Sequence, residues 1–303
     1  MLPLEAVPNF SEGRDRDTID ALAAALSVEA ELLDVHSDAD HNRSVFTLVG
    51  DEDALAEALV AAVDVARLRI DLRRHEGAHP RIGAADVVPV VPLRSEDMER
   101  ARATALRVAE RIGAELGLPV FLYGELGGGR GPAFFRGGGL VQLEQRLAAG
   151  ELQPDFGPPR LDPSAGAVLV GARPPLIAFN VNLREARLEV AHQIAAMVRE
   201  SGGGFPGVRA LGLELPGAGI VQVSMNVEDH EAAALHEILE RIEAEAAARG
   251  AEVSGCELVG LMPAAAAVAA AGAMLRIDGF DASRVLELRL LEAPGRPELD
   301  SQS

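Results

Sequence analysis

The chain contains no lysine, so every side-chain cation other than histidine is a planar guanidinium that stays charged at ordinary pH. That absence excludes Schiff-base chemistry and the lysine of a phosphate-binding P-loop. Genomic composition explains arginine-only usage as readily as function does, so the pattern limits the chemistry without choosing it. Cysteine is nearly absent. Cys256 stands alone and cannot close an internal disulfide, which fits a reducing cytosol and a cytoplasmic protein. Positive charge is also short: 28 basic against 47 acidic residues leave a net charge of −19. A surface of that sign argues against nucleic acid and anionic membrane as partners. No apolar run approaches the roughly 20 residues needed to cross a bilayer. The opening MLPLEAVPNF lacks the basic region and long apolar core of a signal peptide. What is present is 303 residues with 48% hydrophobic content, enough for a large core in one large or two modest domains.

The order of elements reads twice along the chain. In the first half, Leu4–Asn9 is a strand, residues 14–26 a helix, and Glu31–His36 with Arg43–Val49 an antiparallel pair. Leu55, Leu59, Val63, Ala66 and Ile70 then fall on one helix face, after an acidic first turn at Asp51–Glu52–Asp53 suited to the positive end of the dipole. Asp86–Val91 is the next strand, followed by a helix from Ser95 to Gly117 and a strand at Pro119–Tyr123. The second half repeats the start of this order with a strand at Leu176–Leu183 and a helix at Glu185–Glu200. A hairpin follows, Val208–Leu215 with Ile220–Val227 across Pro216–Gly219, then a helix from Glu228 to Arg249 and a strand at Glu252–Leu261. Both halves read β-α-β-β-α-β. The expected fold is therefore α+β, two tandem ferredoxin-like α/β sandwich subdomains with a ligand cleft between them. The division expected is 1–173, 174–293 and a disordered tail at 294–303, with a packed helix at Ala264–Ala273.

One connection breaks the repeat. Between helix and final strand the second half needs only Arg249–Glu252, whereas the first half spends about Leu72–Ala85. This insertion, within RHEGAHPRIGAADVVP (Arg74–Pro89), holds His75 and His79 four residues apart beside Glu76, Arg81 and Asp86. The spacing looks helical, but Gly77 lies between the histidines, and Pro80 both lacks an N–H and disfavours the α region for His79. Titratable groups on a glycine-punctuated loop point to use rather than packing, and a loop inserted there faces a cleft between the halves.

Three chemistries compete for it. Metal binding would draw on His75 and His79 with His36, Asp38, Asp40 and His41 of HSDADHNR, but the broken helix and the single cysteine weigh against it, and no metal is expected. An Asp- and His-rich hairpin tip is also a common polar turn. Phosphate binding by GELGGGRGPAFFRGGG (Gly124–Gly139) lacks the spacing of either nucleotide fingerprint, so that segment reads as a flexible loop or lid. Its Arg130 and Arg136 have the geometry to clamp a carboxylate. Histidine acid–base catalysis needs only a near-neutral imidazole that takes a proton from an attacking amine and returns it to a leaving amine.

Seven collinear motifs resemble the glutamate formimidoyltransferase family: VPNFSEGRD (Val7–Asp15), DADHNRSVFTLVG (Asp38–Gly50), GAHPRIGAADVVP (Gly77–Pro89), PVFLYGE (Pro119–Glu125), PDFGP (Pro154–Pro158), GARPPLIAFNVNL (Gly171–Leu183) and VQVSMN (Val221–Asn226). Together they span about residues 4–263, far more specific than any one alone. The resemblance implies transfer of a formimino group from N-formimino-L-glutamate to tetrahydrofolate, late in histidine degradation. It also implies a homodimer, with folate between the subdomains. It places the catalytic histidine of the HPR motif on His79, not His75. The folate-contacting stretch falls on Gly157, Pro158, Pro159, Arg160, Leu161, Asp162, Pro163, Ser164, Ala165 and Gly166. Where an acidic helper is proposed in some members, this chain has His36, with Asp38 and Asp40 close behind. The cyclodeaminase domain of bifunctional relatives is not in this sequence, so only the transferase activity is expected.

Further site candidates follow. Arg81, with Arg130 or Arg43, would hold the glutamate carboxylates; alternatively Arg81 pins the loop through Asp86. Asn180 and Asn182 share one face of a strand and would reach pterin or carboxylate, or else satisfy the strand edge. Phe156 is a stacking candidate, Asp155 a turn-former, and Asn9, Ser11 and Glu12 line the cleft by resemblance only. Two rivals stand beside this reading: a folate one-carbon transferase using a formyl donor, and a non-catalytic small-acid-binding regulator.

Overall fold

A computed structural model describes residues 2–291 as a mixed α/β protein with two sheets. The expected tail at 294–303 lies outside the described residues. The chain begins with β1 (Leu4–Ala6) and β2 (Asn9–Phe10), one strand interrupted at Val7–Pro8 because Pro8 has no N–H for the ladder. Next come α1 (Arg16–Leu26), β3 (Glu31–Asp38), β4 (Arg43–Gly50), α2 (Glu52–Arg69) and β5 (Ala85–Pro92). Asp15 caps α1, and Asp51 caps α2 by accepting from the backbone N–H groups of Asp53 and Ala54 at 3.0 and 2.8 Å. The buried residues of α1 and α2 include Ile19, Leu22, Leu26, Leu55, Leu59, Val63 and Ala66, the helical spacing expected from the sequence.

After β5 the first sheet continues where the second does not. Helix α3 (Met98–Arg111) tightens through a 3₁₀ turn at Ser95–Asp97 and ends in a five-residue π segment, Ile112–Leu116, stopped by Gly117 at φ +66°. Strand β6 (Val120–Gly124), helices α4 (Pro132–Arg136) and α5 (Gly139–Ala148), and strand β7 (Val168–Ala172) follow. The glycine-rich segment expected as a loop or lid therefore contains a helix. Phe135 of α4 is fully buried and joins Phe121, Leu143 and Leu169 in a separate core, so aromatic burial overrides the glycines that flank it. Strand β7 lies between β5 and β6, parallel to both.

The second sheet is built from β8 (Ile177–Arg184), β9 (Val208–Leu215), β10 (Ile220–Val227) and β11 (Glu252–Val259), with α6 (Leu188–Val198) and α7 (Leu235–Ala247) on one face. Helix α7 starts later than the sequence suggests, because the Asp229 carboxylate accepts from Glu231 and Ala232 N–H and closes a separate turn first. Helices α8 (Ala264–Leu275) and α9 (Leu286–Leu291) end the described chain. In spatial order the first four strands of each half run second, third, first, fourth: β3, β4, β1–β2, β5 in one sheet and β9, β10, β8, β11 in the other. No helix among the described residues is long and apolar enough to cross a membrane.

Alternation in β8 and β10 gives the second sheet two unlike faces. Ile177, Val181, Leu183, Val221, Val223 and Met225 pack into its core under the helices. Asn180, Asn182 and Gln222 occupy the opposite, polar face. That face meets the β3–β4 hairpin of the first sheet, and the seam between them holds the candidate site.

Candidate active site

Residues 70–84 between α2 and β5 carry no helix, as Gly77 and Pro80 dictate. The loop rests on the β3–β4 hairpin tip. Ala78 N–H donates to the Asp40 carbonyl at 3.0 Å, and the Asn42 side-chain amide donates to the Glu76 carbonyl at 2.9 Å. The approach is so close that a Cβ at Gly77 would collide with the His41 carbonyl oxygen.

The two loop histidines have different occupations. His75 contacts the Asn42 carbonyl through Nε2 at 3.1 Å and Arg81 through Nδ1. A carbonyl only accepts and a guanidinium only donates, so His75 is neutral with its proton on Nε2, and its two nitrogens are spent on the hairpin tip and on Arg81 of the loop. Burial first, then the Arg81 charge, lowers its pKa. His79 touches the Pro80 carbonyl through Nδ1 at 2.7 Å, which places the proton there and leaves Nε2 as a bare acceptor. Nε2 has no partner among the described residues. Burial, then the cations of Arg43 and Arg136, holds the His79 pKa well below its ordinary value, with Asp86 opposing. The geometry is that of a neutral base with one free lone pair.

Behind it lies a buried ion cluster. Asp86 has no exposure and accepts from Arg43 Nη1 at 2.7 Å, from Arg136, and from Ile82 N–H at 2.8 Å. Burial would raise the Asp86 carboxyl, but Arg136 and Arg43 outweigh it and hold the group ionised. Arg43, buried beside it, is brought down to about 10 by burial despite that partner. Two guanidiniums share one carboxylate, so the cluster keeps a surplus positive charge.

The candidates named from sequence distribute themselves around this frame. Arg81 spends its guanidinium on His75 and on the carbonyls of His41, Gly77 and His79, pinning the loop by its backbone, while Asp86 pairs with Arg43 and Arg136 instead. Asp38 accepts from His41 N–H at 2.6 Å and shapes the hairpin tip. The Asp40 carboxylate crosses to the second sheet and accepts from Gly217 and Ala218 N–H at 2.9 and 3.2 Å. A Cβ at Gly217 would crowd that carboxylate and make it shift. His36 pairs with Glu257 at 3.2 Å across the same seam; this contact raises the His36 pKa and is the first cause bringing Glu257 down to about 2. Asn180 donates to Glu257 at 3.0 Å, and Asn182 accepts from Gln222 at 2.9 Å.

Gly157–Gly166 follows β6 in space. Asp162 accepts from Ser164 and Ala165 N–H at 2.9 and 2.7 Å, folding the stretch into a tight turn. That turn ties both ends of the histidine loop, through Leu72 N–H to Ser164 O and Ala84 N–H to Ala165 O, each 2.8 Å. With Gly117, residues Pro158, Arg160, Leu161, Asp162 and Pro163 line a cavity of about 200 Å³, and neither His79 nor Arg81 lines it. Arg130 lies over the Phe134 and Phe135 rings at 5.7 Å. Phe156 packs against the first core, and Asp155 accepts from Leu122 N–H at 2.7 Å. Asn9 accepts from Arg43 at 3.1 Å, and Ser11 donates to the Gly83 carbonyl at 2.7 Å. Glu12 accepts from the backbone of Arg14 and Asp15 at 2.8 and 2.9 Å. Among the described residues no group of three or more His, Cys, Asp or Glu is placed to hold a metal ion.

Sequence reasoning missed Gln222 and Glu257. The only signal for Gln222 was polar alternation in VQVSMN, which marks a face without naming its partner, and nothing in the strand at Glu252–Leu261 singled out Glu257.

The protein is thus of the mixed α/β class, with a neutral imidazole at the seam of its two sheets backed by surplus guanidinium charge. The chain belongs to the formiminotransferase family: the model of the formiminotransferase domain's N-terminal subdomain matches residues 3–173, and that of the formiminotransferase domain matches 178–281. A glutamate formimidoyltransferase of Streptococcus pyogenes serotype M1 is 42% identical over 95% of this chain and 98% of its own length. One from Thermoplasma acidophilum is 38% identical, over 96% and 98%. The formimidoyltransferase-cyclodeaminase of Rattus norvegicus is 40% identical over 88% of this chain but only 51% of its own.

Proposed function

We propose that the chain transfers the formimino group of N-formimino-L-glutamate to tetrahydrofolate, giving 5-formiminotetrahydrofolate and L-glutamate. The observation that carries this reading is His79, neutral, with Nδ1 spent on Pro80 and Nε2 bare. Folate N5 attacks the amidine carbon while His79 Nε2 takes the N5 proton, and a tetrahedral adduct forms. The imidazolium then protonates the glutamate nitrogen, the C–N bond breaks, and His79 returns neutral. Such proton transfer is typically worth about 10²–10⁴-fold in rate.

The surplus charge of Arg43 and Arg136 over Asp86 attracts a glutamate carboxylate, and Arg81 adds to that field while holding the loop. Gly157–Gly166 contacts folate, with Asn180 and Asn182 on the facing sheet. Asp38 and Asp40 serve the site by building the hairpin tip beneath His79. Each half is a ferredoxin-like sandwich, divided near residue 173, and the shared strand order supports this reading. The working protein is a cytoplasmic homodimer that needs no metal.

A spectrophotometric assay with formiminoglutamate and tetrahydrofolate tests the proposal, run beside a formyl donor. Turnover with the formimino donor is expected. Turnover with the formyl donor alone would shift the reading to another one-carbon transferase. Tight binding of a small acid without turnover would leave a regulator.

A further inference from the structure

One side chain at the seam has contacts that the transfer mechanism does not use. Gln222, on β10, is 1% exposed. Its amide nitrogen donates to Asn182 Oδ1 at 2.9 Å and to Glu257 Oε2 at 3.2 Å. Ionised Glu257 only accepts, which fixes which end of the Gln222 amide is nitrogen. Its Oε1 therefore faces the remaining partner, His41 Nε2, at 3.1 Å. An amide oxygen cannot donate, so His41 must carry a proton on Nε2.

His41 itself is buried and lies beside the proposed base. Its ring centroid is 6.0 Å from that of His79, with the planes tilted by 57°. Its backbone belongs to the tip that supports the histidine loop: the His41 carbonyl accepts from Arg81, and the adjacent Asp40 carbonyl accepts from Ala78 N–H. The ring gripped by the second sheet is thus part of the platform on which His79 stands.

We propose that Gln222 is a positioning residue for the transfer reaction: from the second sheet it holds the His41 ring in place and in the Nε2–H tautomer, and His41 sets the position of the His79 ring. The inference rests on His79 being the base. Gln222 touches neither the Arg43–Arg136 cluster nor the Gly157–Gly166 stretch, so its loss leaves formiminoglutamate binding in place and acts on the chemical step; because it also holds Asn182 and Glu257, the tetrahydrofolate side is read separately. Misplacement of a catalytic group by an ångström can cost about 10²-fold, which bounds the effect.

The test is Gln222→Met, an apolar side chain of similar length, assayed with both substrates. The expected result is a fall in kcat of about 10- to 10²-fold with KM for formiminoglutamate unchanged. Long-range ¹H–¹⁵N NMR of the histidine rings should show His41 as the Nε2–H tautomer in the wild type and as a mixture in the variant. Unchanged kcat, or a wild-type His41 protonated on Nδ1 alone, would overturn the proposal. The wild-type spectrum decides the tautomer even if the variant fails to fold. His79→Ala, run in parallel, isolates the premise: wild-type turnover there refutes the base and leaves the His41 tautomer result standing.

Discussion

Between helix and fourth strand, the first half of the molecule spends residues 70–84 and the second half only 248–251, although their first four strands follow one spatial order. The short connection shows that the topology closes without the loop. The long one holds the proposed base, a histidine whose ring is fully committed, and an arginine that caps three carbonyls. The second half differs in the opposite sense: it has no such loop, but the polar face of its sheet grips the hairpin on which that loop rests. Chemistry and its support are divided between two copies of one strand order.

The electrostatics divide the same way. On the first half's side, Asp86 is fully buried between two guanidiniums; across the seam, His36 and Glu257 remain about a quarter exposed. Asp86→Ala, which strands two buried cations, should therefore cost about 3–5 kcal/mol in urea denaturation. A cost under about 1 kcal/mol would mean the cluster is solvated. Acid should come next. The folded-state pKa values of His79 and His75 are depressed, so the unfolded chain binds protons that the native state refuses. Their penalty is absent above the unfolded value of about 6.5 and grows as pH falls below it. Each group contributes a slope of at most about 1.4 kcal/mol per pH unit, read by denaturation at stepped pH. His79→Asn should flatten that slope; an unchanged slope would contradict the assigned environment. The smallest effect belongs to His36→Gln. Here the folded His36 pKa is raised and the folded Glu257 pKa lowered, so the pair's stabilisation is complete between about 4.5 and 6.5. It is lost as pH rises through the folded His36 value, and lost again as pH falls towards the Glu257 value of about 2. The loss should be about 0.2–1 kcal/mol, seen in that window and vanishing in alkali.

Legibility followed local physics. The β9–β10 hairpin was readable to the residue because alternation and a Pro–Gly turn agree, and α2 because an aspartate cap precedes a clean apolar face. Helices α4 and α5 were hidden by glycines, although Phe134 and Phe135 hinted at a packed segment. Strand β7 was a short apolar run after Gly166 that fits no alternating pattern, since it is buried on both faces. At the site, Gly77 and Pro80 made the non-helical loop legible. The pairing of Asp86 with Arg136, and of His41 with Gln222 far along the chain, exists only once the sheets are stacked. No period in a sequence reports which side chain meets which across such a seam.

The most direct test of the account is the formimino-transfer rate of His79→Ala measured beside its affinity for tetrahydrofolate. The account predicts a kcat loss of about 10²–10⁴-fold with folate binding retained. Turnover at the wild-type rate would contradict it.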